Sequence, residues 1–96
     1  MNKNEIIKTL RHFKDNNQKK YNIRKIGIFG SVAKGKMTDQ SDIDIVVETD
    51  RQDLFNLIGI KQDLEEKLYL PVDVVSYREN MNKFLKQRID KEAFYV

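Results

Sequence analysis

The sequence predicts an α+β domain of two layers, a small sheet packed against helices, and three observations predict it. Apolar residues recur at helical spacing near the start of the chain, in the stretch ending at Leu68, and from about Glu79 onward. Between these stretches lie three short β-rich runs, Ile23–Phe29, Ile43–Val47 and Val72–Val75. The length of 96 residues allows one modest core and no second lobe, so residues 1–96 read as one domain.

Each element has its own justification. Ile6, Ile7, Leu10 and Phe13 stand among polar neighbours as one helix face, predicting an amphipathic helix from residue 3 to about residue 19. Ile26 and Ile28 alternate around Gly27 in a first strand, which stops at Gly30-Ser31. Residues 30 to 41 carry glycines, serines and a Thr38-Asp39 pair, the composition of a loop with room for one short helical turn. Ile43 to Val47 is β-branched apart from Asp44 and forms a second strand. Asp50 is positioned to cap a helix with Leu54, Leu57, Ile58, Leu64 and Leu68 on its apolar side. Pro71 opens a third strand, Val72-Asp73-Val74-Val75, which could pair with the second in either direction. A last helix from about Glu79 carries Met81, Phe84, Leu85, Ile89 and Ala93 on one face.

Composition narrows the possible functions. There are no cysteines, which excludes a disulfide framework and a thiolate metal site. No apolar run approaches the roughly 18 residues of a membrane span, and Met1-Asn2-Lys3-Asn4-Glu5 lacks the order of a signal peptide, so a cytoplasmic protein with no membrane contact is expected. The net charge of +3 suits some polyanionic ligand, yet the lysines and arginines are scattered among acids, and direct nucleic-acid binding is not expected.

The chemistry is concentrated in three places. Asp42 and Asp44 are two apart on a strand, so they share a face at roughly 7 Å while Ile43, Ile45 and Val47 face the core. Two like charges at that spacing repel by about 2 kcal/mol at an effective dielectric near 20. A divalent cation offsets this, and carboxylate oxygen is what magnesium prefers. Taken alone, Ser41-Asp42-Ile43-Asp44 fits a turn cap and an exposed strand better than a metal site. Asp73 changes the balance: it sits among valines in a strand that reads as buried, where a lone carboxylate needs a partner. If the third strand lies beside the second, the three carboxylates form a site for one or two magnesium ions. The Gly30-Ser31 turn supplies a tight bend, backbone N–H groups and a hydroxyl suited to phosphate oxygens, with Lys34 and Lys36 nearby to neutralise charge. Triphosphate grip, metal ligands and a carboxylate near the attacking oxygen are what phosphoryl transfer through metal ions requires. His12, Tyr69, Tyr77 and Tyr95 read as surface or packing residues.

Gly30-Ser31-Val32-Ala33-Lys34-Gly35 followed by Ser41-Asp42-Ile43-Asp44-Ile45-Val46-Val47 closely resembles the signature of the polymerase-beta-like nucleotidyltransferase superfamily. More narrowly it resembles the minimal nucleotidyltransferases (MNT) of prokaryotes, as in the antitoxins of HEPN/MNT toxin–antitoxin pairs. The spacing from Gly30 to Asp44 matches, and Pro71-Val72-Asp73-Val74-Val75 resembles the family's third-aspartate strand. The resemblance implies a small mixed sheet of three to four strands. It implies Asp42 and Asp44 as ligands to two magnesium ions, and Asp73 as ligand to the catalytic ion and orienter of the attacking hydroxyl. It places the nucleoside triphosphate, ATP by family expectation, on Gly30, Ser31, Lys34 and Ser41. Val32 stands where many members carry a basic residue, which leaves Lys34 as the substitute. The implied activity is transfer of AMP to a hydroxyl, a tyrosine of a HEPN-type toxin partner. Neutralisation by binding alone and transfer to a small-molecule hydroxyl are the competing expectations.

Overall fold

The computed structural model describes residues 2–36 and 42–96. Within them the chain runs α1 (Lys3–Asn17), β1 (Ile23–Phe29), α2 (Gly30–Ala33), β2 (Ile43–Thr49), α3 (Leu54–Leu68), β3 (Val72–Ser76), α4 (Lys83–Glu92) and β4 (Phe94–Tyr95). The side chain of Asn2 accepts the Glu5 amide at 2.9 Å and so starts α1. Ile6, Leu10 and Phe13 are the buried stripe of this helix, as their spacing predicts.

The strands lie in the order β3-β2-β1-β4. β1 is antiparallel to both β2 and β4, whereas β2 and β3 are parallel. The mixed sheet is therefore present, with Phe94–Tyr95 as its fourth strand. The direction of β3, open from sequence, is set by α3, which returns the chain to the starting end of β2 and makes the pair parallel. Ile43, Ile45, Val47, Ile26, Ile28 and Val72 are buried in one core with residues of α1 and α3. On the opposite face α4 packs through Ile89 against Phe29 and Val46. The expected two-layer body thus carries a partial cover on its second face.

Three expectations change. Asp53, not Asp50, caps α3, its carboxylate accepting the amides of Phe55 at 2.9 Å and Asn56 at 3.4 Å. Asp50 instead pairs with Arg24 across the β1–β2 end. The last helix begins at Lys83 rather than near Glu79, because Asn82 accepts the Leu85 amide at 3.0 Å. Phe84, one position before Leu85, lies off the face packed through Leu85 and Ile89 and is 75% exposed.

β3 is an edge strand, and at its first residue, Val72, the outward backbone is satisfied by α3. Glu65 accepts the Val72 amide at 3.0 Å and Lys61 donates to the Val72 carbonyl at 2.6 Å. Both groups that another chain could pair with are thereby occupied, in the residue next to Asp73. No helix among the described residues is long and apolar enough to cross a membrane.

Tyr77, just beyond β3, donates its phenol to Asp90 of α4 at 2.8 Å, and this hydrogen bond raises its pKa from 10.0 to about 12. The bond holds only while the phenol keeps its proton. Its stabilising effect is complete below pH 10 and is lost as the pH rises through about 12. Tyr77→Phe is expected to be less stable than the wild type below pH 10, with urea midpoints converging as the pH approaches 12.

Candidate active site

Parallel pairing in register makes Asp44 and Asp73 direct neighbours on adjacent strands. Residues so paired share a face, with backbones about 4.8 Å apart. That face is the one opposite Ile43, Ile45 and Val47, which are fully buried. Asp42 lies immediately before β2 and is exposed. Asp44 is half-buried, and Asp73 is exposed at the start of the edge strand. The expectation of a buried charge at Asp73 therefore fails, because β3 has only one strand neighbour; register, not burial, brings it to Asp44.

Asp44 bears the electrostatic stress of the cluster. Burial pushes its carboxyl above the ordinary carboxylate range, and the charge of Asp73 pushes it the same way. Arg88 of α4 opposes the shift, while Asp42 and Glu92 add to it. Among the described residues no three carboxylates or histidines close into a metal cage as they stand. The donor set nevertheless fits magnesium: hard oxygens, two of them in register, with a repulsion that the protein's own cations do not cancel. Asp42 and Asp73, both exposed, have room to turn towards Asp44.

The Gly30 turn abuts the same carboxylate. Phe29 is the register partner of Asp44, so the chain leaves β1 beside it. Gly30 has a φ of +71°, and a Cβ added there would lie 2.2 Å from Asp44 Oδ2. Only glycine fits on both counts. Ser31 follows within α2 and is half-buried. Lys34 closes this turn, its amide donating to the Gly30 carbonyl at 3.1 Å. Ser41 lies outside the described residues.

Two residues of α4 join the site without having been expected from the sequence. Glu92 forms an ion pair with Lys34 at 2.8 Å, and Arg88 lies 3.8 Å from the same carboxylate. Their i,i+4 spacing was visible, but nothing in the sequence said that α4 would end beside the Gly30 turn. A cleft of about 490 Å³ lies elsewhere, at the far ends of β2 and β3, lined by Gln52, Leu54, Val75, Arg78, Met81 and Leu85. The carboxylates do not line it, and their chemistry is the better guide to the reacting centre. His12 is exposed on α1, across the sheet. Tyr69 and Tyr95 are both exposed, Tyr95 as part of β4.

Comparison with known proteins identifies the family of the chain. Residues 4–95 match the family described as polymerase beta, nucleotidyltransferase. A protein of Methanocaldococcus jannaschii with the provisional name protein adenylyltransferase is 35% identical over 95 residues, covering 96% of this chain and 95% of its own. A solved structure described as a minimal nucleotidyltransferase superposes with a TM-score of 0.80 at 26% identity, covering 100% of this chain and 97% of its own. A toxin–antitoxin structure with AMP-PNP superposes with a TM-score of 0.74 at 30% identity, covering 99% of this chain and 72% of that one. The chain belongs to the polymerase-beta nucleotidyltransferase family and is a minimal nucleotidyltransferase of the kind found in toxin–antitoxin pairs.

Proposed function

We propose that this enzyme transfers AMP from ATP to a hydroxyl, a tyrosine of a HEPN-type toxin partner, and so acts as a cytoplasmic antitoxin. The observation that carries the reading is the register of β2 and β3, which sets Asp44 beside Asp73 on the face that Gly30 also reaches. Asp42, Asp44 and Asp73 would hold the magnesium, two ions by family resemblance. Bound there, magnesium neutralises phosphate charge and lowers the cost of generating the nucleophile.

The residues themselves divide the remaining work. Gly30 and Ser31 offer backbone N–H groups and a hydroxyl to the terminal phosphates, and Lys34 offers its ammonium. Asp73, exposed at the start of the edge strand, orients the attacking hydroxyl and takes its proton on a carboxylate oxygen. The new bond joins that hydroxyl oxygen to the α-phosphorus, and the bond to pyrophosphate breaks. A partner protein as acceptor agrees with the relatives' adenylyltransferase names and with the toxin–antitoxin structure that resembles this chain.

Incubating the chain with ATP, magnesium and the proposed HEPN-type partner should increase the partner's mass by one AMP or more. Tandem mass spectrometry should locate the label on tyrosine. A partner that stays unlabelled in the presence of folded enzyme that binds MgATP would end this reading.

A further inference from the structure

Glu92 is an acid beside the aspartate cluster whose own charge its neighbours favour: the hydrogen bond from Lys34, the charge of Arg88 and the Gly30 amide hold its carboxyl below the ordinary range. It adds to the negative potential on Asp44, yet its side chain is only 13% exposed. Its Oε1 accepts from Lys34 Nζ at 2.8 Å. Its Oε2 lies 3.8 Å from Arg88 Nη2, beyond hydrogen-bond reach, and has no hydrogen-bond partner among the described residues.

The carboxylate is also anchored. Ile89, one turn earlier, is fully buried against Phe29 and Val46. The helix ends with the Ala93 amide on the Ile89 carbonyl at 2.9 Å. Phe94–Tyr95 then enters the sheet beside Gly27 and Ile28. Glu92 is thus fixed to the sheet at both sides, whereas Lys34 hangs from a single helical turn with its side chain half exposed. An ammonium carries three donors, so one bond to Glu92 leaves two for other oxygens. A flexible lysine held in advance loses less entropy when a ligand arrives.

We infer that Glu92 is a positioning residue, which holds the Lys34 ammonium beside the Gly30 turn so that it meets the terminal phosphates of the nucleotide. The inference rests on the reading that Lys34 grips the triphosphate. The opposite role, a carboxylate competing with phosphate for the lysine, predicts the opposite sign: removing the charge would tighten binding.

A double-mutant cycle separates these. MgATP binding is measured by titration calorimetry for the wild type, Glu92→Gln, Lys34→Ala and the double variant, with circular dichroism to check folding. Glu92→Gln should weaken binding about tenfold, the scale of one charge-assisted hydrogen bond, and should add nothing in the Lys34→Ala background. Unchanged or tighter binding by Glu92→Gln overturns the inference. So does an equal loss in both backgrounds, which would mark a general structural role. If Glu92→Gln fails to fold, Glu92→Asp carries the same cycle. A folded wild type that binds no MgATP removes the proposed function as well, whereas tight wild-type binding unaffected by Glu92→Gln removes this inference alone.

Discussion

Asp44→Asn is expected to lower nucleotidyl transfer by about a thousand-fold or more while making the metal-free protein more stable. The substitution keeps the shape of the side chain and removes its charge. Loss of a ligand that organises transition-state charge is worth several kcal/mol, and about 4 kcal/mol corresponds to a thousand-fold in rate. The gain in stability has a separate cause. Asp44 is half-buried beside Asp73, with Asp42 and Glu92 also raising the cost of its charge. Asparagine in that place relieves the repulsion without opening a cavity. Magnesium should distinguish the two proteins in a thermal melt. At a hundred times its dissociation constant a ligand stabilises by about 2.7 kcal/mol, or about 10–20 °C for a chain of this size. The wild type should show that rise, and Asp44→Asn should show little of it. Equal shifts in both proteins would mean that Asp44 does not hold the ion.

Gly30→Ala should be nearly as damaging, and Gly35→Ala supplies the control. Both glycines have a φ of +71°, so alanine meets the same left-handed backbone cost, about 1 kcal/mol, at either position. Their surroundings differ. Among the described residues nothing lies within 4 Å of a Cβ built at Gly35, whereas one at Gly30 falls 2.2 Å from Asp44 Oδ2. Alanine at position 30 must either displace the Asp44 carboxylate or pull the turn away from the sheet. Transfer should drop by about a hundred-fold or more, since a shift of about 1 Å in a positioning group costs that much. Gly35→Ala should lose stability alone and keep its rate. Similar losses of activity in the two variants would show that backbone strain, and not contact with Asp44, makes Gly30 necessary.

Some of this was legible in the chain as letters. β-Branched runs and 3.6-residue periodicity place β1, the start of β2, β3 and the buried stripe of α1, because those patterns report local geometry directly. Ends of elements were less secure. Asp50 was the expected cap of α3, but the helix begins at Leu54 and Asp53 caps it, while Asp50 pairs with Arg24 on the neighbouring strand. Phe84 lies about 100° around the helix from Leu85, off the face that Leu85 and Ile89 present to the sheet, so it stays exposed.

The sequence by itself singled out the residues proposed to carry the chemistry: Asp42 and Asp44 two apart at one strand, a third aspartate in another strand, and a glycine–serine turn at a fixed distance. Alternation along one strand is a property of the backbone, so Asp42 and Asp44 need no knowledge of the rest of the fold. Only the tertiary structure decided what those residues meet. The parallel return through α3 set Asp73 in register with Asp44, and the antiparallel pairing of β1 set Gly30 against the same carboxylate. The packing of α4 on the second face delivered Glu92 to Lys34 across 58 positions of chain. Such meetings depend on which strands are neighbours and which face a helix covers, and these are settled by the burial of the whole core rather than by any local pattern.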